Sequence, residues 1–180
     1  MVRTLNSWGE HHQSLVRICS NDLVYLVILL SALWFFVRIL QAHPIRSGGR
    51  DFAMNLLTKG FVILAIPAGI AILISESISA IYVRQRPFVA DSRVKLLVPH
   101  SADGGMPSHH IVFMVTLVAS IYFYDKRVAM LLAMLTAISG VARVVAGIHY
   151  PSDILVGAVL AIVIVFLYRR ILPERFLRFS

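Results

Sequence analysis

The chain is 180 residues long, 58% hydrophobic and 14% charged, with a formal net charge of +8 and a mean hydropathy of +0.80. A water-soluble domain of this length carries about a quarter charged residues, so a soluble fold is excluded and most of the chain is expected in lipid. Basic residues stand at the ends of apolar blocks, which favours anionic head groups over nucleic acid as partners, and the single Cys19 excludes an intramolecular disulfide and any cysteine-rich metal site.

Residues 1–20 do not read as a cleavable signal, because Glu10, His11, His12 and Gln13 interrupt the apolar run that one requires. Leu5, Trp8, Leu15, Val16 and Ile18 supply instead the apolar side of an interfacial helix, the alternative being a partly ordered tail. Five apolar blocks follow: residues 23–40, 60–75 (resuming after Glu76 to Val83), 111–124, 128–142 and 154–168. A spanning helix needs roughly 20 residues, so most blocks must extend through polar neighbours to cross. In three of them the extension takes in His110, Arg143 or Asp153. The expected fold is all-α, one domain over residues 1–180, with about five spanning helices bundled over 21–170.

The linkers agree with this count. Residues 42–50 form a polar Pro/Gly turn region, Asp125-Lys126-Arg127 a tight helical hairpin, and 88–106 a longer loop leading into the helix start at Pro107-Ser108. With a cytoplasmic carboxyl terminus, that side holds Arg38, Arg46, Arg50, Lys59, Lys126, Arg127, Arg169, Arg170, Arg175 and Arg178. The other side holds Arg3, Arg17, Arg84, Arg86, Arg93, Lys95 and Arg143. Setting aside Arg84, Arg86 and Arg143, which have a chemical reading, the positive-inside rule places the 88–106 loop outside the cytoplasm.

Three polar clusters then fall on one membrane face: Arg84-Gln85-Arg86-Pro87, Pro107-Ser108-His109-His110, and the run Arg143, His149, Asp153. Arginine offers a planar fork of donors matched to phosphate oxygens. Two arginines beside the helix start at Ser108–His110 make an anion cradle. Histidine is a competent nucleophile toward phosphorus when a carboxylate fixes its tautomer, and a second histidine can protonate the leaving oxygen. His149 and Asp153 are four apart, so they can meet on one helical face. Each residue alone has a bland reading: a snorkelling Arg86, a helix-start Asp153, a turn His149, an interfacial His110. Arg143 within an apolar block is harder to dismiss.

These clusters resemble the three-part signature of the type-2 phosphatidic acid phosphatase superfamily, Lys-x6-Arg-Pro, Pro-Ser-Gly-His and Ser-Arg-x5-His-x3-Asp, here spanning residues 79–153. The resemblance implies that His149 attacks phosphorus to give a phosphohistidine, oriented by Asp153, while His110 protonates the leaving oxygen. Arg86, Arg143, Ser108 and backbone amides near His109 would hold the phosphoryl oxygens, with no metal or other cofactor. Three positions depart from the pattern: Ser79 for lysine, His109 for glycine and Ala142 for serine. Arg84 is the expected source of the missing charge.

The stretches Arg86-Pro87-Phe88-Val89-Ala90, Val98-Pro99-His100-Ser101-Ala102-Asp103 and Gly147-Ile148-His149-Tyr150-Pro151-Ser152-Asp153 resemble the bacterial undecaprenyl-diphosphate phosphatases of the bacitracin-resistance type. That resemblance implies release of phosphate from the cell-wall carrier lipid at the outer face of the plasma membrane. The alternatives are a phosphatase or phosphotransferase acting on phosphatidylglycerophosphate, phosphatidate or lipid A phosphate, a non-catalytic anion or lipid transporter, and vanadate-dependent oxidation. Arg93, Lys95, His100 and Asp103 are candidate contacts for a second phosphate, against a default of a solvated loop. Glu76 is read as pairing with a basic group or bonding between helices.

Overall fold

The computed structural model describes residues 1–42 and 49–177, and is helical throughout apart from turns and loops. Arg46, Arg178 and most of the 42–50 linker lie outside the described residues. Helix α1 (Val2–Glu10) is followed by α2 (Gln13–Arg17), a π-helical turn (Ile18–Asp22) and α3 (Leu23–Ala42). The last three run on as one rod of 30 residues. A second rod joins α4 (Gly49–Gly60), a π-helical turn (Phe61–Ala65) and α5 (Ile66–Ile81). A loop carrying the short α6 (Pro87–Ala90) leads to α7 (His109–Tyr122), α8 (Lys126–Val145), α9 (Pro151–Ile171) and α10 (Glu174–Leu177).

Four of these units are long and apolar enough to cross a membrane, and α7 is a shorter apolar helix. At 1.5 Å per residue, α7 spans about 21 Å against a hydrocarbon core of about 30 Å. It tolerates the deficit because α3, α5, α8 and α9 surround it, burying Ile111, Val112, Met114, Thr116, Leu117, Ser120 and Ile121. The outer helices instead expose Leu29, Leu33, Leu73, Met130, Leu155, Val159 and Leu167. Such faces would be aggregation sites in water and are solvated by lipid. The chain is thus a multi-pass membrane protein with α7 as its central post.

The helices extend past their apolar blocks as expected, α8 taking in Arg143 and α9 taking in Asp153. Asp125 caps α8 by accepting from the Arg127 and Val128 N–H groups, each at 3.1 Å. The antiparallel succession puts the ends of α5 and α8 and the starts of α7 and α9 at one pole. Lys126, Arg127, Arg169 and Arg170 lie at the other.

The amino-terminal segment differs from the sequence expectation. It is not one interfacial helix ending near residue 20, because the first rod already starts at Gln13. Only α1 lies apart, and it sits against the loop at the polar pole through Arg3–Asp91 and Lys95–Glu10 ion pairs. The turn at His11 and His12 makes this break possible.

Candidate active site

The turn over residues 146–150 between α8 and α9 brings His149 to the polar pole. Gly147 there has a φ of 77°, a left-handed conformation that glycine enters without steric cost. His149 is 2% exposed, and its Nδ1 lies 2.8 Å from the Gly105 carbonyl oxygen. That acceptor assigns the proton to Nδ1 and leaves a lone pair on Nε2. Nε2 lies 3.4 Å from Arg86 Nη1 and 3.5 Å from Arg143 Nη2, so the lone pair opens between two guanidinium groups. Burial pushes the His149 pKa down to about 4, against the opposing pull of Asp153 and with the Arg143 and Arg86 charges adding to the fall. The imidazole is neutral at pH 7.

The resemblance implies that Asp153 orients this imidazole. The His149 Nδ1 to Asp153 Oδ2 distance is 3.7 Å, beyond hydrogen-bond reach. Both oxygens are engaged elsewhere: Oδ1 accepts from Arg84 Nη1 at 2.7 Å and Oδ2 from the Tyr150 N–H at 2.7 Å. Asp153 is therefore a helix-start cap and a fully buried ion-pair partner at once, with its charge one residue-width from the histidine. Arg84 also donates to Ser152 Oγ at 2.7 Å and lies 4.2 Å over the Tyr150 ring. The Gly104 backbone packs on position 79, where a Cβ on Gly104 would come within 2.8 Å of Ser79 Oγ.

Arg86 is 4% exposed and almost saturated. It donates to the Asp103 carboxylate at 2.7 Å, to the Gly104 carbonyl at 3.1 Å and to the Ile148 carbonyl at 3.0 Å. Arg143 is freer. Its Nη1 donates to the Ser20 carbonyl at 3.0 Å, within the π-helical turn of the first rod. Its Nε has no hydrogen-bond partner among the described residues. Ser108 Oγ is likewise buried and unpartnered there, at the N-cap of α7. Arg143 Nε and Ser108 Oγ, both unpartnered among the described residues, and the amides that open α7 are donors of the kind that bind an oxyanion.

The adjacent histidines of α7 diverge. His110 is half-buried in the first turn of α7. His109 turns to α5, with Nδ1 3.1 Å from Glu76 Oε1. Glu76 thus pairs with His109 through Nδ1, while His109 Nε2 is buried with no hydrogen-bond partner among the described residues. Two of the loop residues read as candidate contacts for a second phosphate, against a solvated default, lie beside the site arginines. His100 Nε2 is 3.5 Å from Arg143 Nη2, and its ring stands edge-on to His149 with centroids 6.2 Å apart. Asp103 holds Arg86, and Ser101 Oγ donates to its second oxygen at 2.7 Å. The spacing of His100 and Asp103 before the Gly104-Gly105 pair was the available signal. By contrast, Arg93 and Lys95 face α1 and Asp91 rather than the cradle.

Residues 57–177 match the model of the PAP2 superfamily. The chain is 30% identical over 167 residues to undecaprenyl-diphosphatase BcrC of Bacillus subtilis (strain 168), covering 89% of this chain and 77% of that protein. It is 25% identical over 145 residues to the bacitracin transport permease protein BcrC of Bacillus licheniformis, covering 79% and 71%. The crystal structure of Aquifex aeolicus LpxE shares the fold at a TM-score of 0.59 and 19% identity, covering 87% of this chain and 93% of that one.

Proposed function

The chain belongs to the PAP2 superfamily of phosphatases, and on that premise we propose that it hydrolyses undecaprenyl diphosphate to undecaprenyl phosphate and inorganic phosphate, recycling the cell-wall carrier lipid. The observation that carries the reading is the His149 Nε2 lone pair held between Arg86 and Arg143. Identity to the Bacillus subtilis enzyme over most of the chain supports the substrate.

In this mechanism, Arg143, Ser108 and the first amides of α7 hold the terminal phosphoryl oxygens. Nε2 forms a bond to the terminal phosphorus as the bridging P–O bond breaks. His110 supplies a proton to the departing undecaprenyl phosphate. The imidazole becomes a phosphohistidine whose Nδ1–H stays on Gly105, with Asp153 stabilising the positive ring. Water, deprotonated by the now basic His110, attacks the same phosphorus and restores His149. The chemistry uses this chain's own groups and needs no metal. The site faces the outside of the inner membrane in the orientation favoured by Lys126, Arg127, Arg169 and Arg170 at the opposite pole.

An apolar groove of about 560 Å³ supports a lipid substrate. It runs between α8 and α9 over α7, starting at Ile111 and Ile154, the chain neighbours of His110 and Asp153, and reaching Phe166. Phosphate release from purified undecaprenyl diphosphate, phosphatidylglycerophosphate, phosphatidate and lipid A, with a chelator present, tests the proposal. The polyprenyl diphosphate should be turned over fastest. Its complete resistance would overturn the assignment, and equal turnover of all four would mark a generalist.

A further inference from the structure

The turn before His149 is held by its carbonyls, one after another. The Ala146 oxygen accepts from the Leu97 N–H at 3.2 Å and the Gly147 oxygen from the Phe88 N–H at 3.1 Å. The Ile148 oxygen accepts from Arg86 at 3.0 Å. The first in the series, Val145, accepts from Asn6 Nδ2 at 2.9 Å. Three of these donors come from the loop inside the matched family region, and the fourth comes from α1, outside residues 57–177.

Asn6 is 1% exposed and its amide is fully committed. Nδ2 donates also to the Lys95 carbonyl at 2.9 Å, and Oδ1 accepts from the Lys95 N–H at 2.8 Å. It therefore ties the loop to the end of α8 and closes over Gly147. A Cβ added at Gly147 would lie 2.8 Å from the Lys95 carbonyl and 3.2 Å from Asn6 Nδ2, so the three groups leave no slack. Arg3 and Glu10 flank Asn6 on the same helical face and pair with Asp91 and Lys95. These are exposed ion pairs of small worth, whereas buried amide bonds cost more to leave unmade. Gly9 allows the approach: a Cβ there would meet Val145 Cγ1 at 2.5 Å.

We propose that Asn6 is a positioning residue for the nucleophile: by fixing Val145 and Lys95 it sets the turn that aims His149 Nε2 between Arg86 and Arg143, making α1 part of the catalytic apparatus. This rests on the phosphatase reading above. A displaced turn leaves Ser108 and the first amides of α7 in place, so the loss falls mainly on kcat and little on KM. Misplacement of a reacting group by about 1 Å costs on the order of 100-fold in rate.

The test compares wild type with Asn6→Asp, which keeps the shape but removes both amide donors, and with Asn6→Ala. Leu132→Ala, in the core toward the other pole, serves as a control matched for loss of thermal midpoint. All are full-length proteins assayed for phosphate release in lipid nanodiscs, on whichever lipid phosphate the wild type turns over best. The expected result is a 10- to 100-fold fall in kcat for both Asn6 variants, KM within about threefold, and an unchanged kcat for Leu132→Ala below its melting range. Should Asn6→Ala not fold, Asn6→Asp alone decides. Wild-type kcat in Asn6→Asp, or a fall no larger than in the matched control, overturns the inference while leaving the phosphatase reading intact. A wild type silent on every lipid phosphate overturns both.

Discussion

His149 Nδ1 donates to the Gly105 carbonyl at 2.8 Å, while the Asp153 carboxylate four residues on stands 3.7 Å away and is taken by Arg84. A backbone oxygen thus fixes the tautomer, and the carboxylate acts on the imidazole as a nearby charge. The division of labour has a consequence for mutagenesis. Arg84→Ala leaves a fully buried carboxylate without its cation and should lower stability by about 2 kcal/mol, less than for a wholly buried pair because Arg84 is partly exposed. A double-mutant cycle of Arg84→Ala with Asp153→Asn, read by thermal midpoint and by kcat, should be non-additive. Additive losses would show that the two side chains act independently.

The lowered His149 pKa predicts a pH signature. A histidine buried in its neutral form stabilises the fold while it is uncharged, and protonation favours the unfolded chain. Stability should therefore be fully present above the ordinary histidine value near 6.5 and fall as pH drops toward about 4. In His149→Gln that decline should be shallower over the same window, measured as thermal midpoint against pH. The acid limb of kcat/KM assigned to the nucleophile should likewise lie well below 6.5.

Much of this arrangement was legible in the sequence, and the gaps have specific causes. Helical blocks and their polar ends followed from hydropathy, because lipid enforces apolar surface on every outer helix. The positions of His149, Arg143 and Ser108 followed from their residue types and spacing. Gly105 could not be found that way, since its contribution is a carbonyl that any residue carries. Arg84 was located but its partner was not, because the contact joins residues 69 positions apart. The contacts of Asn6 are likewise distant in sequence, 89 and 139 positions away, although Arg3, Asn6 and Glu10 at helical spacing beside Gly9 mark a docking face.

The two histidines of α7 should separate cleanly. His109 contacts Glu76 rather than the cradle, so His109→Gly, which restores the superfamily residue, should retain kcat within about threefold. His110→Ala should lose on the order of 100-fold or more, as expected for removal of a general acid. Equal losses in the two variants would contradict the divergence of their side chains.

Asp103 and His100 extend the site into the loop. Asp103 is largely exposed, so Asp103→Ala should cost under about 1 kcal/mol of stability. It nevertheless releases the Arg86 guanidinium and should raise KM severalfold. His100→Ala removes a ring beside Arg143 and should reduce kcat/KM by about tenfold. Steady-state assays at saturating and limiting lipid check both, and wild-type constants for both variants would return this loop to a solvated role.

The central claim is that phosphorus is transferred to His149. Undecaprenyl diphosphate labelled in its terminal phosphate, mixed with enzyme and quenched in alkali, tests it most directly, because phosphohistidine survives base. Label should appear on the peptide carrying His149 within a single turnover, and His149→Ala should lose both the label and turnover by on the order of 10⁴-fold while still binding lipid. Turnover retained in His149→Ala, or label carried by another residue, would contradict the account.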